Sequence, residues 1–337
     1  MKFPFEFGVT LVFRLIFPGL VLAVAFLPLA TALLDALSID SAAATTIPAL
    51  TVVFGWMVVM ADQPIYMLYE GRRYWPSFLK KYWEARQRKR LNKLVDLRAE
   101  LDKPPAQRKP EYKDLKRVEV SFRMLDYALD DDGERTITSP TRMGNLIDAY
   151  ETYSETSYGM DSIFYWPRIW LAADKDIRDA LDQTQAIADS ALYVSFSIAC
   201  AAPLLLFYLV LELLPYEWPV APVVLPFVPP PGWTALFAAV CLAMAYWVYR
   251  VGLYPQGQYG ELFKALIDQS LDKLAFIETA VRRAVNEGND PVAAREESYL
   301  TAARYLRWHK IKPPGTRLPG ESKTYTPESW KKRTTAP

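Results

Sequence analysis

Four apolar stretches, each long enough to cross a bilayer as a helix, constrain this chain more than any other feature of its sequence. A hydrocarbon core of about 30 Å needs roughly 20 apolar residues of helix, because each residue advances about 1.5 Å. The first stretch runs without a charge from Leu15 to Leu34, between Arg14 and Asp35, and the second from Ile47 to Tyr69. The third runs from Ser190 to Leu214 and the fourth from Trp233 to Val251. The chain is 51% hydrophobic with a net charge of +1, so its apolar content is gathered into these blocks rather than spread as in a soluble domain. A cleaved signal peptide has a shorter apolar stretch and a small-residue cleavage site. The first block is too long for that and is followed directly by Asp35 and Asp40, so an uncleaved span is expected.

Orientation follows from Lys and Arg. Neither residue occurs in the loop Ala36 to Thr46 or in the loop Pro215 to Gly232, whereas Arg72, Arg73, Lys80, Lys81, Arg86, Arg88, Lys89 and Arg90 follow the second span. With Lys331, Lys332 and Arg333 at the end of the chain, both termini are expected in the cytoplasm. Aromatic belts agree: Tyr66, Tyr69, Tyr74 and Trp75 at one inner boundary, Tyr246, Trp247, Tyr249 and Tyr254 at the other, and Tyr216, Trp218 and Trp233 outside. The expected fold class is therefore an all-α polytopic membrane protein, with four transmembrane helices in two hairpins and a helical cytoplasmic assembly. Residues 1–70 are the first hairpin, 71–189 a cytoplasmic segment, 190–254 the second hairpin, 255–312 C-terminal cytoplasmic helices and 313–337 a disordered tail.

Local signals refine this outline. A basic, aromatic helix is expected from Pro76 to Leu101, ended by Lys103-Pro104-Pro105, because proline cannot continue the backbone ladder. A second covers Glu111 to Leu129, and Ser139-Pro140 reads as an N-cap with proline at the first helical position, opening a helix to about Thr152. A short helix begins near Tyr158-Gly159. From Asp174 an amphipathic helix runs without a breaker into the third span, a rod of about 60 Å at 1.5 Å per residue. After the fourth span, Ile267, Leu271, Leu274, Ile277, Val281 and Val285 recur at helical spacing, and Asn289-Asp290-Pro291 restarts a helix to about Lys312. Leu68-Tyr69-Glu70-Gly71 and Leu253-Tyr254-Pro255-Gln256-Gly257 follow the second and fourth spans in similar style, so the two hairpins read either as a weak parallel repeat or as convergent interface composition.

The sequence lacks the parts of most catalytic schemes. No glycine-rich phosphate loop, zinc spacing or nucleophile elbow occurs. His309 alone makes no metal site, and Cys200 and Cys241 lie within apolar spans as small packing residues. No enzyme, metal or cofactor is expected.

Ionisable groups at membrane depth are costly and face a partner or water, which singles out Arg14, Asp62, Gln63 and Arg250. Arg14 and Asp62 sit at similar depth, so they either pair with each other or line a polar pore or gate, with Pro64 breaking the helix beside Asp62. Asp174, Asp176, Asp179, Asp182 and Asp189 before the third span, with Asp35, Asp40, Glu212 and Glu217 at the outer face, read as solvated faces or as negative mouths that concentrate cations. Small residues, Ala235, Ala239 and Ala243 on the fourth span and Ser195, Ala199 and Ala202 on the third, permit close packing within or between subunits.

The cytoplasmic segment is strongly dipolar: residues 71–118 carry 16 Lys and Arg against 6 Asp and Glu, and residues 119–189 carry 6 against 15. Arg72, Arg73, Lys80, Lys81, Arg86 and Arg90, interleaved with Trp75 and Trp83, fit membrane lipid, an anionic ligand or a partner protein, with nucleic acid or an oligonucleotide as a weaker fit.

Thr141-Arg142-Met143-Gly144-Asn145, then Tyr158-Gly159-Met160-Asp161 and Phe164-Tyr165-Trp166-Pro167-Arg168, form a pattern of about 30 residues. It resembles a segment shared by bacterial four-span membrane proteins that have no assigned activity. The resemblance implies a bacterial inner membrane and singles out Arg142, Asn145, Asp161, Trp166 and Arg168. Two functions are expected from the whole: first, a homo-oligomeric, cation-preferring channel or membrane-permeabilising effector gated through its cytoplasmic helices by an anionic or nucleotide-type ligand. The alternative is a membrane scaffold or sensor that recruits a cytoplasmic partner.

Overall fold

A computed structural model of the chain describes residues 12–38, 43–104, 107–109, 116–130, 133–213, 228–270, 279, 286–288 and 290–308. A π-helical turn, Val12–Ile16, carries Arg14 and leads into α1 (Phe17–Ala36). Then come α2 (Ala43–Met60), α3 (Asp62–Glu70), α4 (Ser77–Asp102) and α5 (Arg117–Met124). A two-residue antiparallel ladder pairs β1 (Ala128–Leu129) with β2 (Arg135–Thr136), Ala128 opposite Thr136. The rest is again helical: α6 (Arg142–Glu151), α7 (Tyr153–Tyr158), α8 (Ser162–Ala172), α9 (Lys175–Leu213), α10 (Pro231–Ser270) and α11 (Pro291–Trp308). The all-α expectation stands. Three helices are long and apolar enough to cross a membrane, Val12–Ala36, Lys175–Leu213 and Pro231–Ser270. Thr45–Met60 and Asp62–Glu70 pass the same test as a pair bent by 60°.

The bend has a local cause. Pro64 has no N–H for the Met60 carbonyl, and its ring crowds that carbonyl, so the helix must reset one turn earlier. Ala61 takes φ −86° and ψ 14°, between α2 and α3, which leaves Pro64 in the first turn of α3, where its N–H is not required. Gly71 at φ 78° closes α3 as a left-handed cap, its N–H bonded to the Leu68 carbonyl.

The core spans are held by contacts between backbones as much as between side chains. A Cβ on Gly19 would lie 2.1 Å from the Thr51 carbonyl oxygen, and one on Gly55 would lie 2.4 Å from that of Leu15, so α1 and α2 run antiparallel in direct backbone contact. Alanine in place of glycine inside an open helix gains about 1 kcal/mol. Here the sign reverses, and Gly55→Ala is expected to cost about 1 to 3 kcal/mol, as extra atoms forced into a filled interior do. Gly232→Ala, with open space around it, is the control, and thermal unfolding of both in detergent checks the contrast. Against α1 lies α9, where the Tyr208 hydroxyl donates to the Ala25 carbonyl at 3.0 Å. Against α9 lies α10, with Ser195 donating to the Ala245 carbonyl at 2.9 Å and Gly252 close against Ala191.

Both α9, with 39 residues, and α10, with 40, continue past their apolar stretches as rods of about 60 Å. On their polar ends sit the short helices. Tyr150 of α6 packs edge-on to Tyr259 and beside Phe263 of α10, and accepts a hydrogen bond from Gln256 at 3.0 Å. Trp166 of α8 stacks on Phe263 at 4.6 Å, and the Tyr165 hydroxyl donates to the Tyr299 carbonyl of α11 at 2.7 Å. In contrast, α4 and α5 build a small core of their own from Leu91, Leu94, Leu101, Val120 and Tyr127.

Several local expectations are corrected. The helix expected from Glu111 to Leu129 is shorter: 111–115 lie outside the described residues, and Ala128–Leu129 turn into the ladder. Asp130 is the reason, since its N–H bonds the Glu134 carbonyl at 2.8 Å and its carboxylate accepts from Glu134 N–H at 2.9 Å. The N-cap of α6 is Thr141, not Ser139, because Thr141 Oγ1 accepts from Gly144 N–H. Tyr158 ends α7 rather than starting a helix, with Gly159 left-handed behind it, and Asp161 caps α8. The two segments that read alike end differently: α3 terminates at Gly71, while α10 passes straight through Pro255 and Gly257. Ala235, Ala239 and Ala243 are exposed, and within the apolar stretch of α10, residues 233–251, the buried positions are Thr234, Ala238 and Ala245. Ile267 is buried as expected; Leu271, Leu274, Ile277, Val281 and Val285, with the tail 313–337, lie outside the described residues.

Candidate functional site

Where α3 bends away from α2, five polar side chains from three segments meet. Arg14, on the π-helical turn, forms its ion pair with Asp189 of α9, and the Tyr66 hydroxyl of α3 donates to the other Asp189 oxygen. Asp62, the first residue of α3, accepts instead from the Tyr193 hydroxyl at 2.7 Å. The expected pair of Arg14 with Asp62 is therefore replaced by two crossed links. One turn of helix separates Asp62 from Tyr66 and Asp189 from Tyr193, so each element presents a carboxylate and a tyrosine on one face. Asp189 is 4% exposed. A buried carboxylate requires a paired cation and hydrogen bonds, and Arg14 with Tyr66 supplies both.

A separate link on α3 reaches the fourth apolar segment. Tyr69 Oη and Ser195 Oγ are 2.8 Å apart, and because Ser195 donates to the Ala245 carbonyl, Tyr69 is the donor between them. Three hydrogen-bonded links thus tie Asp62, Tyr66 and Tyr69 of α3 to the turn before α1, to α9 and, through Ser195, to α10. Chemically the site can bind, gate or carry charge, but it holds no nucleophile activated by a base. Among the described residues no cluster of His, Cys, Asp and Glu is arranged to hold a metal ion.

The other pore residues divide. Asp62 and Gln63 lie on the exposed face of α3. Glu212 lies at the opposite end of the apolar part of α9, about 35 Å from Asp189 at helical rise, so the structure does not bring it to the cluster. Asp176, Asp179 and Asp182 are exposed on α9, but Asp189 is buried and belongs to no open mouth; Asp40 and Glu217 lie outside the described residues.

Of the basic candidates, Arg72 is already occupied. It contacts Glu70 at 2.7 Å, Asp148 at 2.5 Å and Glu151 at 3.2 Å. Burial works against its charge, but these acids outweigh it and hold its pKa above the ordinary value. Arg90 is turned toward Asp126, 3.8 Å away. Burial lowers its pKa, and the Arg142 and Arg250 guanidiniums lower it further. Trp75 donates to the Leu68 carbonyl and meets Trp83 edge-on, while Arg86 lies over the Trp83 ring at 5.0 Å. Arg73, Lys81 and Arg86 are exposed and Lys80 is half-buried.

Each residue singled out by the Thr141-Arg142-Met143-Gly144-Asn145 pattern and its continuation has a structural task. Arg142 Nε donates to Asp126 at 2.8 Å. Asn145, fully buried, donates to the Ser139 and Thr141 carbonyls and accepts from the Thr138 and Ser139 N–H groups. A Cβ on Gly144 would lie 2.5 Å from the Glu70 carbonyl, which is how closely α6 approaches the end of α3. Asp161 caps α8 through Phe164 N–H, Trp166 stacks on Phe263, and Arg168 lies over the Phe164 ring at 4.1 Å. The pattern builds the dock between α3 and the polar ends of the rods.

Sequence reasoning passed over Tyr66 and Tyr193 as functional groups and grouped Asp189 with its exposed neighbours. The available signal was position: Asp189 alone among those acids adjoins the uncharged run of α9, with Tyr193 one turn further on. Comparison with protein-family models, curated proteins and solved structures finds no match to this chain.

Proposed function

We propose that the chain is a four-span protein of a bacterial inner membrane, with two transmembrane hairpins and cytoplasmic termini, that assembles as a homo-oligomer and gates a path for ions. The observation that carries this reading is the 60° bend that sets Asp62 and Gln63 on the exposed face of α3. A carboxylate at such a position needs water or another subunit beside it, and irregular backbone at that depth is tolerated where it lines a cavity or is buried in protein. Rods α9 and α10 supply the lever, since each is continuous from the polar helices into its apolar stretch. Motion of the docked helices α6 and α8 is then transmitted to Asp189 and Tyr193, and from there to Asp62.

The test is flux in liposomes under sodium and chloride gradients. Asp62→Asn is expected to lower cation over anion permeability severalfold while the oligomer stays assembled by size-exclusion chromatography. Unchanged selectivity in a conducting mutant would remove Asp62 from the path, and no flux in the wild type with nucleotides or anionic lipid added would leave the second reading. That reading is a scaffold or sensor recruiting a cytoplasmic partner. It is supported by α4, a basic helix of 26 residues whose core is shared with α5 rather than with the rods. Crosslinking in mild detergent that yields only homo-oligomer would count against it.

A further inference from the structure

A second feature lies along α10, apart from Arg14, Asp62, Tyr66, Asp189 and Tyr193. A cleft of about 220 Å³ opens between α5, α6 and α10, with Asp126, Arg142, Arg250 and Glu261 among its walls and Leu146 and Leu253 at its base. Its acids are already engaged: Asp126 takes Arg142 at 2.8 Å and faces Arg90 at 3.8 Å, and Glu261 takes Lys264 at 2.9 Å. Arg250 makes no ion pair among the described residues. With both acids engaged, the cleft carries one cation, Arg250, that no carboxylate among the described residues pairs with.

Its position says what the anion is attached to. Arg250 stands 19 residues after Pro231, the start of α10, which is about the thickness of a hydrocarbon core at 1.5 Å per residue. Trp247, Arg250, Val251 and Tyr254 recur at three- and four-residue steps and so share one face. Trp247 and Tyr254 are each 64% exposed, and Val251 is also exposed. A guanidinium between interfacial aromatics, with an apolar stripe on one side and a cationic cleft on the other, matches a molecule with a charged phosphate head and an acyl tail.

We propose that this cleft seats the phosphate of an anionic phospholipid, held by Arg250 and Arg142, with its acyl chain along the exposed face of α10. The proposal rests on α10 crossing the membrane and not on ion conduction. Full-length protein in a neutral detergent is offered phosphatidylglycerol, phosphatidylcholine or inorganic phosphate in separate arms, with retained lipid counted by native mass spectrometry and thermal shift read alongside. Phosphatidylglycerol should be retained in preference to phosphatidylcholine, Arg250→Gln should weaken its retention about tenfold, as loss of one charge-assisted contact does, and Arg250→Lys should keep most of it. Because Arg250 is exposed and unpaired, its substitution should leave the unliganded melting temperature unchanged. Equal retention by Arg250→Gln overturns the proposal, as does its loss in Lys80→Gln/Lys81→Gln instead, which would place the lipid on α4. A thermal shift from inorganic phosphate equal to that from phosphatidylglycerol overturns the lipid assignment in favour of a soluble phosphate compound. Protein that extracts into buffer without detergent would defeat the spanning arrangement itself, a result distinguishable from loss of lipid preference alone.

Discussion

Arg14→Gln should lower stability by about 3 to 5 kcal/mol, because it leaves the Asp189 carboxylate buried without its cation. Asp189 is 4% exposed and its remaining donor is the Tyr66 hydroxyl, which alone does not balance a full charge in an apolar surround. Asp189→Asn should cost less, since it leaves the cation on Arg14, whose side chain is 30% exposed and reaches water. The double change Arg14→Gln with Asp189→Asn should recover most of the loss, as replacing both members of a buried pair does. Arg14→Gln with Asp62→Asn should recover little, because Asp62 is bonded to Tyr193 and not to Arg14. Chemical unfolding in detergent micelles of the two cycles measures both coupling energies. A coupling of Arg14 to Asp62 as large as that to Asp189 would reverse the partner assignment and undo the crossed arrangement on which the gating proposal depends.

What the sequence revealed of this fold follows from which interactions are local. Apolar runs, the proline beside Asp62 and the absence of a breaker after Asp174 each act within a few residues, and three long apolar helices, the bent pair at Asp62 and the rod α9 appear where those signals place them. The start of α4 is likewise local: Pro76 takes an extended conformation at φ −58° and ψ 142°, and the helix opens behind it at Ser77. Partner choice is different. Arg14 and Asp189 are 175 positions apart, and position along the apolar stretches does not choose between Asp62 and Asp189. Which of them meets Arg14 depends on how α1 rotates against α9, and that rotation is set by the Gly19 and Gly55 contact on its other side. Glycine in a span carries no apolar signal, so this contact was silent in hydropathy. Pro255 shows the converse: read locally it suggests a stop, yet α10 continues because packing of Tyr259, Phe263 and Ile267 against the helices docked on it outweighs one missing hydrogen bond. The basic candidates were misjudged for a similar reason. Composition counts Arg72 as a free cation, whereas folding brings Asp148 and Glu151, 76 and 79 positions away, onto its guanidinium.

Asn145→Leu is expected to be the most damaging single change in the polar domain, at about 4 kcal/mol, although leucine matches the side chain in size. Asn145 is completely buried and its amide uses both ends: its nitrogen donates to two carbonyls at 2.7 and 2.6 Å, and its oxygen accepts from two N–H groups at 3.0 and 3.1 Å. Leucine would strand the Thr138 and Ser139 N–H groups and relieve the two carbonyls of a partner, and each buried polar group left unmade costs about 1 to 3 kcal/mol. Relaxation toward solvent at exposed Thr138 keeps the sum below its upper bound. Asn145→Asp separates geometry from chemistry, since the carboxylate can still accept from the two N–H groups but faces the Ser139 and Thr141 carbonyls with no donor. It should also be strongly destabilised, while Asn145→Gln, one methylene longer, has no free space for its extra carbon at a completely buried position. The consequence extends beyond local stability, because this loop carries Ser139 and Thr138, whose hydroxyls hold Asp148 at 2.7 and 2.6 Å, and Asp148 in turn holds Arg72 at the end of α3. Loosening it should free α6 from α3 before the spans separate. Hydrogen exchange followed by mass spectrometry is therefore expected to show Asn145→Leu losing protection in α6 and at Arg72 first, with α9 and α10 unchanged. Uniform loss across α1, α9 and α10 would mean that the dock and the spans unfold as one unit and that α6 cannot move as a separate lever.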